Sequence, residues 1–283
     1  MKEFESCYHP LSASFPKRLA KWEKVTNYNN VDIAIAGNPA IVRWTIATQN
    51  PTLSNKKIIF VSDFHYLDSK RQNKRIDNLV QNIQKISPDI LLLGGDLVGD
   101  AIHIKYLPKL LKKLSNLAPT TLAVLGNWER GKTWLPVKFW QQMYQENNIK
   151  LLCNESWADE NFFIWGTDDT SKGHPRTPKN WPADKFNIIL AHRPDTVIAL
   201  DHLDYLKGAS LAITGHTHGG QIRLPFIGSL ITSSKYNNAL DYGKFNHKSS
   251  PLSLIISSGM GELSFPWRFN CRHEAVLINF ECL

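Results

Sequence analysis

Lys57-Ile58-Ile59-Phe60-Val61 is followed, after one serine, by Asp63-Phe64-His65. A short apolar run bounded by polar residues reads as a buried strand, and such a strand delivers its next residues to the edge of a sheet. Similar runs come later. Ile90-Leu91-Leu92-Leu93 precedes Gly94-Gly95-Asp96, Leu122-Ala123-Val124-Leu125 precedes Gly126-Asn127, and Ile188-Ile189-Leu190-Ala191 ends on His192. Leu211-Ala212-Ile213 leads into Thr214-Gly215-His216-Thr217-His218-Gly219-Gly220. Strand ends in an α/β sheet are where ligands collect, so these polar termini are expected to share one crevice. In an extended or loop backbone, residues i and i+2 point the same way, which sends His216 and His218 into that crevice together.

After the first run, Ile76, Leu79, Val80, Ile83 and Ile86 fall at helical spacing, predicting a helix over 75–86 that Ser87-Pro88-Asp89 stops. A second helix is predicted over 104–117, with Leu107, Leu110, Leu111 and Leu114 on one face. Strand and helix thus alternate, which is the pattern of a layered α/β fold. The second half carries short β-like runs at 161–166, 253–258 and 275–280, and these predict a second sheet packed on the first. Residues 172–181 read as a loop, as do 224–242 apart from possible short strands. There is no internal repeat.

With 283 residues and 42% hydrophobic content, the chain has the composition of an ordinary globule. One catalytic domain is expected over 51–283, with residues 1–50 as an extension that packs on it. The start lacks the charged-then-apolar pattern of a secretion signal, and no segment reaches the roughly 20 apolar residues needed to cross a bilayer. A cytoplasmic location is expected, in solution or resting peripherally on the inner membrane. Cys7, Cys153, Cys271 and Cys282 are scattered without a zinc or disulfide spacing. The net charge of +8 suits nucleic acid, anionic lipid or an anionic small substrate. Without a Lys/Arg block, an RNA-binding aromatic motif or a zinc-finger spacing, specific nucleic-acid binding is not expected.

Asp63, His65, Asp96, Asn127, His192, His216 and His218 therefore offer carboxylate, imidazole and amide-oxygen donors at strand ends. Such a mixture suits Mn²⁺, Fe, Zn²⁺ or Co²⁺, and it exceeds what one tetrahedral ion takes, so two divalent ions are implied. Two ions, two carboxylates and a bridging hydroxide leave a small positive balance that draws a phosphate oxyanion. Ions about 4 Å apart acidify a shared water, hold a phosphoryl oxygen each and neutralise the charge that grows during in-line attack. Hydrolysis then needs no Ser or Cys nucleophile.

Asp63-Phe64-His65, Gly95-Asp96-Leu97-Val98-Gly99-Asp100, Gly126-Asn127-Trp128-Glu129, His192 and Gly215-His216-Thr217-His218 resemble, in this order, the motifs of the calcineurin-like metallophosphoesterases: D-x-H, G-D-x-x-D, G-N-H-D/E, a lone H and G-H-x-H. The similarity spans residues 57–220. It implies an α/β fold, a four-layer α-β-β-α sandwich of two mixed sheets flanked by helices. It also implies Asp63, His65, Asp96 and His218 around one ion and Asp96, Asn127, His192 and His216 around the other, manganese foremost. Catalytic roles fall on Asp96, Asn127 and His216.

The tail, residues 266–271 and 274–278, is similar to a bacterial branch containing small phosphodiesterases and a UDP-2,3-diacylglucosamine pyrophosphohydrolase of lipid A synthesis. The expected substrate is a phosphodiester or pyrophosphate in a phosphate-containing small molecule or a lipid-nucleotide. A general phosphodiesterase or phosphatase, and a non-catalytic metal-binding scaffold, are the alternatives.

Two positions depart from the motifs. Gly99 stands where the second Asp belongs, with Asp100 one residue late, and Trp128 replaces the His that protonates the leaving oxygen. Tryptophan offers only an N–H donor and shuttles no proton near neutral pH. A leaving group that is already a stable anion, as in a pyrophosphate, needs no such acid. His103 and His174 are other candidate proton sources. Arg130 and Arg193 are candidates for substrate phosphate, because a guanidinium fork matches its oxygens, with ion pairing elsewhere as the plainer role. Trp134, Phe139, Trp140 and Tyr144 read as core, with acyl-chain binding as the other option. His9, His202, His247 and His273 read as structural or exposed.

Overall fold

Successive side chains of a strand face opposite ways. Lys57–Val61 accordingly divides itself, with Ile58 and Phe60 in one apolar cluster and Ile59 and Val61 in another. Ile90–Leu93 splits likewise, as does Phe186–Leu190, whose Ile188 and Leu190 oppose Ile189. A strand apolar on both sides needs a packed layer against each face. The computed structural model, which describes residues 6–8, 19–25, 33–35, 39–170, 172–230, 232–263 and 268–282, supplies those layers.

One seven-stranded sheet runs in the order Ile33–Ile35, Ala40–Thr48, Glu274–Cys282, Lys57–Val61, Ile90–Leu93, Thr120–Ala123, Lys150–Leu151. The other runs Trp22–Lys24, Gly243–His247, Ser253–Ile256, Leu211–Thr214, Phe186–Leu190, Phe162–Gly166, Glu155–Ala158. Both are mixed. Lys57–Val61 through Lys150–Leu151 are parallel neighbours, as are Phe162–Gly166 through Ser253–Ile256, and antiparallel pairs flank them.

Phe60, Leu92, Leu190, Ile213 and Ile255 fill the space between the sheets. Helices Lys70–Ile86, Leu107–Leu114 and Val137–Gln145 cover the outer face of the first sheet, and Pro194–His202 covers that of the second. The expected four-layer α-β-β-α sandwich is thereby present.

The differences in detail have physical causes. The first helix starts at Lys70, not 75, because Ser69 caps it by accepting from the Gln72 amide at 3.2 Å, while the polar opening turn hides this start from apolar periodicity. The second predicted helix is a 3-10 turn, Ala101–Tyr106, followed by Leu107–Leu114, with Pro108 in the first turn, where its missing N–H costs nothing. Arg176–Pro178, inside a predicted loop, pairs with Ser6–Tyr8. Trp140 and Tyr144 are fully buried in the core and Phe139 packs against it, whereas Trp134 is exposed. His247 meets the Trp22 ring edge-on, and His273 lies between Arg75 and Glu262, both structural roles. His9 lies outside the described residues. Among the described residues, no helix is long and apolar enough to cross a membrane.

Glu274 opens the strand beside Lys57–Val61 and is fully buried, and burial pushes its carboxyl from an ordinary value near 4.5 up to about 7. The folded chain then keeps a proton that the unfolded chain releases. This stabilisation is complete below about pH 4.5 and is lost as pH rises through 7. Glu274→Gln is therefore expected to flatten the fall in stability between pH 5 and pH 8, by on the order of 3 kcal/mol. Urea midpoints at the two pH values measure it, and parallel curves for both chains would refute it.

Candidate metal centre

Two buried donor groups lie where the parallel strands finish: Asp63, His65 and His218 in one, Asp96, His192 and His216 in the other. Asn127, the first residue of the short helix Asn127–Gly131, joins the second group with its Oδ1 3.0 Å from His192 Nε2. All seven sequence-predicted donors are thus brought together. His192 Nε2 is also 3.1 Å from His216 Nδ1 and 3.3 Å from Asp96 Oδ2. In the other group, His65 Nε2 is 3.1 Å from His218 Nε2, which lies 3.7 Å from Asp63 Oδ1. Asp96 Oδ2 is 3.8 Å from His65 Nε2, so one oxygen borders both groups.

These atoms bring lone pairs, with few protons to share among them. Crowding them out of water is costly unless a cation lies between them. Ligands bonded to one ion at about 2.0–2.2 Å stand roughly 3.0–3.5 Å apart, so the donor set fits metal.

Most of these donors sit on strained backbone. Asp63, His65, Asp96, His216 and His218 have φ of 55°, 42°, 52°, 71° and 51°, the left-handed region that costs a non-glycine residue of order 1 kcal/mol or more. His216 and His218 therefore do not converge through an extended backbone. Their left-handed turns send His216 to one group and His218 to the other. Glycines permit the close approach: a Cβ on Gly126 would overlap Asp96 Oδ1, and one on Gly215 would overlap Asp63 Oδ2.

Partners fix the ligands. His192 Nδ1 donates to the Gly94 carbonyl at 2.8 Å, which leaves Nε2 as the lone-pair nitrogen for a cation. Asp96 Oδ1 accepts from the Trp128 amide at 2.8 Å, and Asp63 accepts from Ser62 Oγ at 2.5 Å and from the His216 amide at 3.0 Å.

Burial pushes His65 down to about 4 and drives His216 and His218 well below the usual histidine range, while it lifts Asp63 up to about 6. It opposes charge on Asp96 and His192 as well. Their mutual attraction wins there, lowering Asp96 to about 2 and raising His192 to about 10. A site that holds a proton so firmly has the negative potential that also attracts a metal cation.

Glu129 is a residue whose task the motifs alone did not reveal. Its buried carboxylate accepts from the amides of Asp96, Leu97, Val98 and Gly126 at 2.9, 2.6, 3.2 and 2.9 Å, clamping two ligand-bearing loops together. Its place three residues after the glycine that begins a helix was the available signal. Asp100 instead caps the 3-10 turn and pairs with His103 Nδ1 at 2.6 Å. The His174 amide donates to Asp168 and its carbonyl accepts from Asn154.

The Trp128 ring stands edge-on to His65 at 4.9 Å, with Lys132 Nζ 5.6 Å from its centre. Arg130 forks onto Asp168 at 2.8 and 3.1 Å, and Arg193 Nε donates to Asp169 at 3.1 Å. Pro266 and Trp267 of the tail lie outside the described residues. Arg268 Nη2 is 3.4 Å from His218 Nδ1, and Cys271 Sγ is 3.2 Å from the His218 carbonyl oxygen, so the tail backs this ligand.

The profile described as calcineurin-like phosphoesterase matches residues 56–220. Phosphodiesterase YaeI of Escherichia coli is 26% identical over 247 residues, 84% of this chain and 87% of that protein. The uncharacterized metallophosphoesterase YkuE of Bacillus subtilis is 28% identical over 236 residues, 80% of this chain and 79% of its own length. An uncharacterized metallophosphoesterase of Helicobacter pylori is 30% identical over 226 residues, covering 75% of this chain and 56% of that one.

Proposed function

Because this chain belongs to the calcineurin-like phosphoesterase family, whose members are metal-dependent phosphoester hydrolases, we propose that its donor groups form a binuclear centre that cleaves a phosphodiester or pyrophosphate bond. One observation carries the reading: Asp96 Oδ2 borders both groups, as a carboxylate shared by two ions must. Bound ions supply an acidified water and offset the charge on the attacked phosphoryl group. Asp63, His65, Asp96 and His218 would hold one ion and Asp96, Asn127, His192 and His216 the other, with manganese the first metal to test ahead of Fe, Zn or Co.

Asn127, half-buried beside the second group, also orients a phosphate oxygen. Arg130 and Arg193 keep guanidinium nitrogens that Asp168 and Asp169 do not use, Nη1 in Arg130 and both Nη in Arg193, and these are assigned to substrate phosphate.

Trp128 narrows the substrate class. Without a proton donor there, a leaving group stable as an anion is favoured, as when UMP leaves UDP-2,3-diacylglucosamine. Such a lipid-nucleotide substrate goes with a cytoplasmic protein in peripheral contact with the inner membrane, and the net charge of +8 supports that contact. Residues 1–50 are assigned as an extension packed on a 51–283 catalytic domain; strands Trp22–Lys24 and Ala40–Thr48, one in each sheet, support the packing.

Metal analysis of the purified chain is expected to find about two transition ions. Turnover should be measured side by side on a chromogenic phosphodiester, a phosphomonoester, a cyclic nucleotide and UDP-2,3-diacylglucosamine. A chain that carries no metal and hydrolyses none of them with added Mn²⁺ would sink the reading. Good turnover of simple diesters with the lipid-nucleotide untouched would sink only its narrower form.

A further inference from the structure

The tight hairpin that follows the last metal ligand presents apolar side chains to water. Arg223–Leu224 pairs with Gly228–Ser229, and between them the Ile227 amide donates to the Pro225 carbonyl at 2.8 Å, closing a three-residue turn around Phe226. Phe226 sits at φ 66°, where a side chain is strained, and its exposure of 109% is that of a ring standing clear of the protein. Ile227 at 60%, Leu230 at 56% and Phe269 at 54% extend the apolar surface. Phe269 belongs to it through bridge pairing with Ile222, and its carbonyl accepts from the Arg223 amide at 3.0 Å. Backbone strain at Phe226 costs stability and its unburied ring returns none, so folding gains nothing from this tip.

The base of the hairpin is tied to the metal centre. Arg223 Nη1 donates to the Gly219 carbonyl at 2.9 Å, one residue after His218, and the Phe269 amide donates to the Gln221 carbonyl at 3.0 Å. The sequence flanking the hairpin and Phe269 carries charge of one sign. Residues 205–240 and 263–273 contain no Asp or Glu. Asp241 neutralises Arg223, while Lys235 and Arg272 are exposed nearby in sequence to the hairpin and to Phe269.

We propose that the hairpin Arg223–Ser229, together with Leu230 and Phe269, is a membrane-docking element that seats the rim of the metal centre on an anionic lipid surface. Phe226 and Ile227 enter the boundary between headgroups and acyl chains, and Lys235 and Arg272 meet lipid phosphates. The docking surface rests on the phosphohydrolase reading only for what it positions.

Phe226→Gly tests this cleanly, because glycine takes a positive φ without strain and the variant should fold at least as well as the natural chain. In flotation with metal-loaded full-length protein, the natural chain is expected to rise with phosphatidylcholine vesicles containing phosphatidylglycerol. It should rise less with phosphatidylcholine alone or in added salt. Phe226→Gly should lower the partition coefficient by about tenfold or more while leaving turnover of a soluble phosphodiester unchanged. The pair Lys235→Glu and Arg272→Glu should abolish the preference for anionic vesicles.

The proposal is overturned if the natural chain stays with no vesicle, if Phe226→Gly binds as tightly as the natural chain, or if the hairpin variants instead convert a dimer to a monomer. Absent diester turnover by the natural chain, with vesicle binding intact, would count against the hydrolase reading and leave the docking surface standing.

Discussion

Asp96→Ala is expected to lose phosphodiester hydrolysis by at least about 10³-fold and to purify with at most one transition ion in place of about two. The size of the effect follows from position. Asp96 Oδ2 lies 3.3 Å from His192 Nε2 and 3.8 Å from His65 Nε2, so one truncation removes a ligand from both groups. It also removes the main attraction that holds His192 protonated near 10 in the absence of metal. The fold should survive, because Glu129 continues to clamp the Asp96 loop through backbone amides that alanine retains. Metal content by elemental analysis and turnover of a chromogenic diester are the measurements. Full activity with two ions still bound would mean that Asp96 is not the shared ligand.

Trp128→His is expected to act on the leaving group, with the ions left in place. The backbone N–H of residue 128, which anchors Asp96 Oδ1, is kept, and the new imidazole takes the place of a ring edge-on to His65. A proton donor with a pKa near neutral contributes on the order of 10²-fold when an alkoxide departs and little when a nitrophenolate does. Plotting kcat/KM against leaving-group pKa should therefore give a flatter slope for the variant, with the gain confined to poor leaving groups. Equal slopes would show that the side chain at 128 does not gate departure.

Much of the fold was legible because its strands are short, apolar and buried on both faces. Ile58 and Phe60 against Ile59 and Val61 is a pattern that only a strand between two layers satisfies. The donors were legible for a related reason: Asp63, Asp96 and His192 follow such runs closely, and the sheet delivers them to one edge. Segments that depend on partners distant in sequence were not legible. Arg176–Pro178 becomes a strand because Ser6–Tyr8 lies beside it, and nothing within residues 172–181 announces this. The left-handed turns at Asp63, His65, Asp96, His216 and His218 were equally hidden, since Asp and His adopt that conformation only occasionally and nothing local marks where they do. Gly126 and Gly215 leave room for them, Ser62 and the His216 amide hold the Asp63 carboxylate, and Glu129 holds the Asp96 backbone. Lone residues such as Arg130 and Arg193 could be read either way, and Asp168 and Asp169 are too far along the chain to have been named as their partners.

Glu274–Cys282, which follows every other strand among the described residues, lies inside the first sheet with Ala40–Thr48 on one side and Lys57–Val61 on the other. During synthesis on the ribosome, the segment bearing Asp63 and His65 emerges more than two hundred residues before this neighbour. The nascent sheet must wait with a long unpaired edge open to misassociation, a state in which holdase chaperones find their clients. Asp63 and His65, which follow Lys57–Val61, therefore reach their final setting only after Glu274–Cys282 has been added beside that strand.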